Sequence, residues 1–479
     1  MTHQGFDLIA AARQEMIDHG FTPDFPAGVE QQLASIDPRP DASLRDLRAL
    51  LWSSIDNDDS RDLDQIEWAD RASGNIRVLV AIADVEASVA LATPIDRYAA
   101  QETTTVYTGV RVFPMLPLRL STDLTSLNEN QDRAAVVIEM TIAADGEIQS
   151  SSSYRALVRN RAQLTYNATG SWLENTAPAP DKVAVSADLQ AQLRLQDEAA
   201  QRLAEARHRH GALSFDRTEA EAVITDGQVR GLTTRKHNRA AQLIEDFMIA
   251  ANESMARALR DAGISSIRRV VKDPERWPRI VVLARGYGEA LPSAPDAAAL
   301  NGFLLRRRDA DPLHYADVSL SVLKLMGPGE YVVDRPGDPA PGHFGLAAHD
   351  YTHSTAPNRR FADLVTQRLV KSLDSKVKPY TDDELDAIAR NCTLKEDAAR
   401  KVQRAMGKRI AAVALGRRVG DSFSAVVTGV TPKGVFVRAL DPPVEGRLMR
   451  GEQGLDVGDR IRVTLLSTNP ERGFIDFGR

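Results

Sequence analysis

The sequence has very little cysteine and no long apolar run. Cys392 is the single cysteine among 479 residues, which excludes an internal disulfide framework and fits a reducing compartment. No apolar run approaches the roughly 20 residues that a membrane-spanning helix needs. Residues 1–20 mix acidic, polar and apolar residues and lack the basic-then-apolar layout of a secretion signal. We therefore expect a cytoplasmic protein with no membrane partner.

An excess of positive charge is also missing. The chain has 60 Lys and Arg against 66 Asp and Glu, for a net charge of −6. This balance gives no indication of a nucleic-acid partner, so any basic channel must be local. Charged residues make up 26% and hydrophobic residues 43% of the chain, as in an ordinary soluble protein. The length predicts two to four domains.

Shifts in the residue pattern predict three domains. Residues 1–51 are expected to form a small all-α domain of three short helices, the third capped by Ser43. It would be either a helix-turn-helix-like binder or a packing cap on the next domain. Residues 52–416 are expected to form an α+β domain, and residues 417–479 hold five short strands that predict an OB-fold barrel.

Within the α+β domain, hydrophobic periodicity predicts individual elements and one long loop. The loop is expected at 328–341, which is rich in Gly and Pro. The strands and helices are expected at 77–85, 134–142, 186–210, 239–262, 360–373 and 382–415.

A short acidic run is the strongest indication of chemistry. It holds six carboxylates, at Asp56, Asp58, Asp59, Asp62, Asp64 and Glu67. Carboxylates this close repel one another, so a compact arrangement requires either bound cations or full solvation. Divalent ions held by Asp56, Asp62 and Asp64 against a phosphate would lower the pKa of a bound water and neutralise developing charge. An exposed acidic loop is the alternative.

A calcium-binding loop is a further alternative for the same run. Its odd positions match an EF-hand, with Asp56, Asp58, Ser60, Asp62 and Asp64 followed by Glu67 at the twelfth position. Arg61 occupies the sixth position, where the EF-hand needs glycine for a sharp turn. Strand-like alternation, rather than an exiting helix, follows the run. Both mismatches disfavour calcium.

The run resembles the catalytic motif of the ribonuclease II / ribonuclease R family of 3′-to-5′ exoribonucleases. In that motif, Ile-Asp is followed by aspartates six, eight and nine positions after the first. Asp56, Asp62 and Asp64 fit this spacing, whereas Gln65 stands at the fourth position. Further blocks follow in the family's order, at Ile82-Ala-Asp-Val, Tyr107, Pro114-Met-Leu-Pro, Thr165-Tyr166, Leu213-Ser-Phe215, Ile244 to Asn252, and Tyr351 to Asp363. The resemblance covers about residues 50–479, the last part being similar to an RNA-binding OB-fold of the ribosomal S-one type.

The resemblance implies roles for individual residues. The implied ligands of Mg²⁺, or of Mn²⁺, are Asp56, Asp62, Asp64 and Gln65, the last offering a carbonyl oxygen without charge. The implied catalytic residues are Asp64, Arg359, which would stabilise phosphate charge, and Tyr166, near the scissile phosphate. The residues expected to bind RNA are Tyr107, Phe215, Asp246, Arg360 and Phe436. The aromatic ones would stack on bases without sequence preference.

The resemblance also implies a function. It implies a monomeric enzyme that hydrolyses single-stranded RNA processively and sequence-independently to nucleoside 5′-monophosphates. The residues alone indicate only metal-assisted phosphodiester chemistry and RNA binding. Because Gln65 replaces an aspartate, a non-catalytic RNA-binding regulator on the same fold is a second hypothesis. The N-terminus also departs from the family, since predicted helices stand where relatives have two cold-shock barrels.

Overall fold

The computed structural model describes residues 6–479 except 38, 40, 216–218, 226–227, 236, 313–314, 340–341 and 376. The helices are α1 (Leu8–Asp18), α2 (Ala27–Ser35), α3 (Pro94–Glu102), α4 (Tyr166–Leu173), α5 (Asp181–Ala184), α6 (Ala187–Arg209), α7 (Arg239–Asp261), α8 (Trp277–Gly286), α9 (Ala297–Ala310), α10 (Tyr315–Met326), α11 (Phe361–Ser375) and α12 (Asp382–Leu415). The strands are β1 (Arg45–Asp46), β2 (Trp52–Asp56), β3 (Gln65–Ala72), β4 (Asn75–Ala83), β5 (Val106–Tyr107), β6 (Val112–Phe113), β7 (Asp132–Ile142), β8 (Ile148–Thr165), β9 (Glu219–Thr225), β10 (Gln228–Arg235), β11 (Ser266–Val270), β12 (Glu330–Asp334), β13 (Ser422–Thr431), β14 (Gly434–Ala439), β15 (Glu445–Arg450), β16 (Arg460–Asn469) and β17 (Phe474–Gly478).

A six-stranded sheet with the order β1-β8-β2-β3-β4-β7 forms the centre of the α+β domain. The long strand β8 pairs with β7 through residues 148–159 and with β2 through residues 160–165, so the sheet curls back on itself. The strands expected at 77–85 and 134–142 are confirmed as β4 and β7. The acid loop, residues 56–65, connects β2 to β3 at one end of this sheet.

Helices α6 and α7 pack against the sheet and against each other. Helix α7 buries Leu243, Phe247, Ala251 and Met255 at intervals of four residues, which is the spacing of one helical face. The Asn238 side chain accepts a hydrogen bond from the backbone N–H of Ala241 and begins the helix. The four helices expected from periodicity are confirmed as α6, α7, α11 and α12. None of the helices in the described ranges is long and apolar enough to cross a membrane.

The N-terminal segment contains two of the three expected helices. The third, expected after Ser43, is wrong, because Arg45–Asp46 instead forms the edge strand β1 in parallel with β8. The backbone N–H of Leu47 extends this pairing to the carbonyl of Leu157. An open strand edge thus outweighs local helix propensity. The two helices share apolar clusters with later segments, since Met16 packs with Met406 and α2 joins the main core. This packing agrees with the cap alternative, and the boundary at residue 51 stays a prediction.

The C-terminal strands close into a barrel with the order β13-β14-β15-β17-β16, as expected for an OB fold. Along β14, Val435, Val437 and Ala439 are buried, whereas Phe436 and Arg438 are more exposed on the outer side. This alternation is that of a strand with one face on a core.

The loop expected at 328–341 is only partly a loop. Residues 330–334 form β12, which pairs antiparallel with β11, and residues 340–341 lie outside the described part of the chain. Arg268 of β11 is almost fully buried, donates one hydrogen bond from Nε to Asp334 of β12 and forms an ion pair with it. The neighbouring strand and this buried ion pair override the Gly- and Pro-rich composition around the segment.

Two hairpin glycines allow the packing at the end of the sheet to be tested. Gly74 has φ +88° and open space where a side chain would begin, whereas Gly146 has φ +86° and a Cβ there would overlap the Arg202 carbonyl oxygen. Gly74→Ala should cost about 1–2 kcal/mol for the left-handed backbone. Gly146→Ala should cost roughly 1–3 kcal/mol more from overpacking. Urea unfolding of both variants measures the difference, and equal losses would contradict the packing of α6 on this hairpin.

Candidate active site

The acid loop is fixed by its backbone. Leu63 is buried in its middle, and its N–H donates to Ser126 Oγ at 2.9 Å while its carbonyl accepts from the Leu127 N–H at 3.0 Å. Ser126 Oγ also donates to the Arg61 carbonyl at 2.8 Å. Asp62 and Asp64 flank the anchored Leu63. The two carboxylates are therefore held on a rigid stretch rather than on a free loop.

Asp64 lies inside the protein and is 2% exposed. Its Oδ1 accepts a hydrogen bond from the Asn358 backbone N–H at 3.1 Å, and its Oδ2 lies 3.5 Å from Arg359 Nε. Burial raises the pKa of Asp64 to about 7, and the nearby Asp62 adds to the rise while Arg359 opposes it. A cation beside Asp64 would favour its charged form.

The other two aspartates and one aromatic ring share this site. Asp56 Oδ1 accepts hydrogen bonds from the Asn57 N–H at 2.7 Å and from Ser60 Oγ at 2.9 Å. Asp62 Oδ2 accepts from the Tyr107 hydroxyl at 3.4 Å. Burial, and to a smaller extent Asp56, raises the pKa of Asp62. The Tyr107 side chain is 41% exposed, so its ring borders the carboxylates and can still be reached from solvent.

Tyr166 enters the site region from the other side of β2. Asp56 at the end of β2 pairs in register with Thr165 at the end of β8, and Tyr166 begins α4 directly afterwards. Asn167 Nδ2 donates to Asp58 Oδ2 at 2.6 Å, which joins the first turn of α4 to the acid loop. The Tyr166 side chain is partly buried against the main core.

A buried ion pair shapes the segment that carries Arg359. Asp363 accepts hydrogen bonds from the Ala356 N–H at 2.8 Å and from Arg360 Nε and Nη2 at 2.8 and 2.7 Å. Arg360 is thereby engaged inside the protein, whereas the Arg359 side chain is 44% exposed. Asn358 is held by the Thr125 hydroxyl, which donates to its Oδ1 at 2.6 Å. Of the two adjacent arginines, Arg359 is the one presented to the acid loop.

Three predicted RNA-binding residues lie elsewhere. Phe215 packs with a separate apolar cluster around Trp277, Phe436 lies on the barrel, and Asp246 is buried in an ion pair with Arg207. Burial raises the pKa of Asp246 to about 7. Within the described ranges, none of the three shares a hydrogen bond or ion pair with the acid loop. The structure therefore does not join them to Tyr107 and Asp64.

From the sequence, Asn358 and Asp363 had no individual role, and Glu67 appeared only within the acidic run and at the last position of the alternative calcium loop. Glu67 is fully buried, and both carboxylate oxygens lack a hydrogen-bond partner. Burial, followed by repulsion from Asp56, raises the pKa of Glu67 well above its usual value. Two residues apart on β3, Gln65 and Glu67 face the same side of the sheet. Along β3, Gln65 and Glu67 alternate with apolar residues, so the local pattern places Glu67 on a polar face and gives no signal for its burial.

The donor set suits a divalent cation. Asp56, Asp62 and Asp64 supply hard carboxylate oxygens, and mutual repulsion adds to the raised pKa values of Asp62 and Asp64. A hard cation such as Mg²⁺ fits these donors and relieves the repulsion. Among the described residues, no group of three or more His, Cys, Asp or Glu side chains is placed so that it could hold a metal ion by itself. Mg²⁺ commonly completes its octahedron with water and substrate oxygens.

Comparison with protein families gives two matches. Residues 44–376 match the RNB domain, and residues 421–479 match the RNase II-type exonuclease C-terminal S1 domain. The first match covers most of the chain and includes the acid loop as well as the segment from Ala356 to Asp363.

Comparison with individual proteins gives relatives that agree with these two family matches. Ribonuclease R of Escherichia coli is 30% identical over 499 residues, covering 95% of this chain and 60% of that protein. Ribonuclease R of Thermotoga maritima is 30% identical over 423 residues, covering 84% of this chain and 57% of that protein. This chain thus spans about 60% of the length of these relatives. The structure of Mycoplasma genitalium RNase R in complex with ribose methylated single-stranded RNA has a TM-score of 0.88 at 22% identity, covering 98% of this chain and 78% of that one.

The buried Asp64 predicts a pH-dependent loss of stability in chelator. Its folded pKa of about 7 lies above the ordinary value of 3.8, so the stabilising effect of the neutral form is complete below about pH 4 and is lost as the pH rises through 7. Relative to Asp64→Asn, which cannot ionise, the unchanged protein should lose up to about 4 kcal/mol between pH 4 and pH 8. Urea unfolding with EDTA at several pH values measures this difference.

The control for this prediction is Asp59→Asn, which removes an exposed carboxylate from the same loop. Its stability should follow that of the unchanged protein at every pH. Parallel stability curves for the unchanged protein and Asp64→Asn would contradict the assigned burial of Asp64.

Proposed function

The chain belongs to the RNB domain family, and on that premise we propose that it is a metal-dependent exoribonuclease that hydrolyses single-stranded RNA from the 3′ end. One observation carries the proposal. Asp56, Asp62 and Asp64 share a site in which Arg359 Nε lies 3.5 Å from Asp64. Clustered carboxylates beside an accessible guanidinium suit phosphodiester chemistry. The relatives named ribonuclease R support RNA as the substrate class, and the match to the RNase II-type exonuclease C-terminal S1 domain supports an exonuclease.

Asp56, Asp62 and Asp64 would hold Mg²⁺, or Mn²⁺, with Gln65 as a neutral neighbour. When bound, the metal supplies charge neutralisation at the phosphate and a water of lowered pKa. The Arg359 guanidinium then binds the phosphate oxygens at which negative charge develops. The Asn358 amide and the Asp363–Arg360 pair hold Arg359 and Asp64 in register. Tyr166 lies at the border of this site and would orient the terminal nucleotide.

RNA would be bound mainly through stacking and charge. The exposed face of Tyr107 beside Asp62 would stack on a base near the 3′ end, and Phe436 on the barrel would stack on a base farther along the strand. The related RNase R of Mycoplasma genitalium forms a complex with single-stranded RNA, which supports this partner. Nucleoside 5′-monophosphates are the products that metal-activated water would release from the 3′ end.

We further propose that the protein acts as a monomer in the cytoplasm. The single buried cysteine, Cys392, fits a reducing compartment. Size-exclusion chromatography with light scattering measures the mass, and a stable dimer would contradict the monomer.

A second candidate function is an RNA-binding regulator without catalytic activity. Gln65 favours it, since the family motif has a fourth aspartate there and an amide brings no charge to a cation. The barrel and Tyr107 would serve such a regulator equally well. The two candidates differ in whether RNA is cleaved.

Asp64→Asn should abolish RNA hydrolysis while RNA binding persists. Asp64 is buried beside Arg359 and would act on the metal and phosphate rather than on the bases, so its loss removes transition-state stabilisation more than ground-state binding. Labelled single-stranded RNA incubated with Mg²⁺, with and without chelator, measures cleavage, and filter binding measures affinity. We expect at least about a 1,000-fold loss of rate, as for other transition-state electrostatic groups.

Two further variants sharpen this experiment. Asp59→Asn removes the same charge from an exposed position of the loop and should retain cleavage. Gln65→Asp restores the fourth acid of the family motif. If the unchanged protein only binds RNA and Gln65→Asp cleaves it, the regulator is the correct interpretation. If affinity collapses together with turnover in Asp64→Asn, the role given to Asp64 is wrong.

Tyr107→Ala should weaken RNA binding through the loss of a base stack. A stacked base contributes about 1–3 kcal/mol, which corresponds to roughly a 5- to 150-fold rise in KM. Tyr107→Phe keeps the ring and loses only the 3.4 Å contact to Asp62, so its KM should stay near that of the unchanged protein. Equal KM values for the Ala and Phe variants would rule out stacking.

A further inference from the structure

A cavity of about 600 Å³ lies away from the candidate active site. Its walls are formed by the β7–β8 hairpin, the end of α6, the second half of α7 and residues 346–350. Along β4, the acid loop adjoins Ile82 and the hairpin adjoins Ile76. At about 3.3 Å per residue, roughly 20 Å separate the two ends. The cavity is therefore a separate place on the same sheet.

The cavity is lined by both apolar and cationic side chains. Apolar side chains come from the hairpin, α6, α7 and the 346–350 segment, at Ile148, Leu203, Ala250 and Leu346. The cationic side chains are those of Arg207, Arg257 and Arg260. Arg257 and Arg260 are three residues apart on α7 and so lie on one helical face. Such a cavity suits a ligand with an anionic end and an apolar or flat body.

The three arginines differ in how well they are paired. Arg207 forms an ion pair with the buried Asp246, and Arg260 forms an ion pair with Asp350. Arg257 has Glu253 at 3.9 Å as its ion-pair partner, beyond hydrogen-bond reach, and its buried Nη2 has no hydrogen-bond partner. Buried donors without a partner are costly. Arg257 lines the cavity with 35% of its side chain exposed, and its nearest acid is too far away to accept a hydrogen bond.

Among the described residues, no acid of the cavity lining is hydrogen-bonded to Arg257. Glu147 lies 2.8 Å from His210, and Asp350 forms an ion pair with Arg260. Glu253 is the remaining acid of the lining, and it approaches Arg257 only to 3.9 Å. An anionic ligand would supply the hydrogen bonds that Arg257 lacks.

We propose that this cavity binds a phosphomonoester with an apolar body, of the class of nucleoside 5′-monophosphates. The exposed part of the Arg257 guanidinium would pair with a phosphate oxygen, and Leu203 and Leu346 border the space left for the base and ribose. The cavity volume lies within the usual range for small-molecule sites. The choice of a nucleotide rests on the proposed function, whose product it would be, whereas the phosphate site rests on Arg257 alone.

Calorimetric titration of the full chain tests this site. The Asp64→Asn protein in EDTA is titrated with AMP, inorganic phosphate and adenosine, so that neither metal nor turnover contributes. AMP should bind saturably and more tightly than either fragment. Arg257→Ala should weaken AMP binding by about 10- to 100-fold, the range for lost charge-assisted hydrogen bonds. Arg285→Ala, which removes an exposed arginine of α8, is the matched control and should bind AMP as its parent does.

Each other outcome overturns part or all of the inference. If AMP does not bind saturably up to about 10 mM, or binds equally well with and without Arg257, the proposed site is wrong. If adenosine binds as tightly as AMP, the phosphate does not contribute to binding. If inorganic phosphate binds as tightly as AMP, the apolar side chains of the lining do not contribute. If Arg257→Ala unfolds, Arg257→Lys keeps the charge without the planar fork and should show an intermediate loss. The titration does not depend on RNA hydrolysis, so a protein that fails to degrade RNA can still pass this test.

Discussion

Burial of the Asp64 carboxylate is the constraint around which the site is organised. A charge inside a protein needs hydrogen bonds, an opposite charge or protonation. Asp64 has one hydrogen bond from the Asn358 backbone and a guanidinium at 3.5 Å, and its pKa still rises to about 7. These contacts therefore compensate the buried charge of Asp64 only in part. Binding of a divalent cation would complete the compensation.

This contact joins segments that are far apart in the chain. The acid loop lies between two strands, and Asn358 follows almost 300 residues later. The second segment has its own internal support, in which buried Asp363 holds Arg360 and the Ala356 N–H. One arginine of the pair is thus used for architecture, and Arg359 is left exposed beside Asp64. A rigid segment of this kind suits catalysis, because preorganised charges need no rearrangement during reaction.

The two ends of the central sheet are built from different chemistry. At one end, anchored backbone around Leu63 gathers carboxylates that repel one another. At the other end, α6 and α7 gather arginines, of which Arg257 has its nearest acid at 3.9 Å, beyond hydrogen-bond reach. The net charge of −6 conceals this separation. Only the local distribution of charge indicates which ligand each end can take.

Sequence patterns were sufficient where the physical cause is local. Short strands separated by Gly, Pro and Asp turns identified the barrel, periodicity identified α6, α7, α11 and α12, and the spacing of Asp56, Asp62 and Asp64 identified the acid loop. Tertiary structure alone decided the rest. The residues after Ser43 became a strand because β8 offered a free edge, and β12 formed within a loop-like stretch because β11 lay beside it. Likewise, local sequence does not distinguish Arg359 from Arg360. The buried Asp363 pairs with Arg360 and leaves Arg359 exposed. Burial and pairing depend on neighbours that the local sequence does not contain.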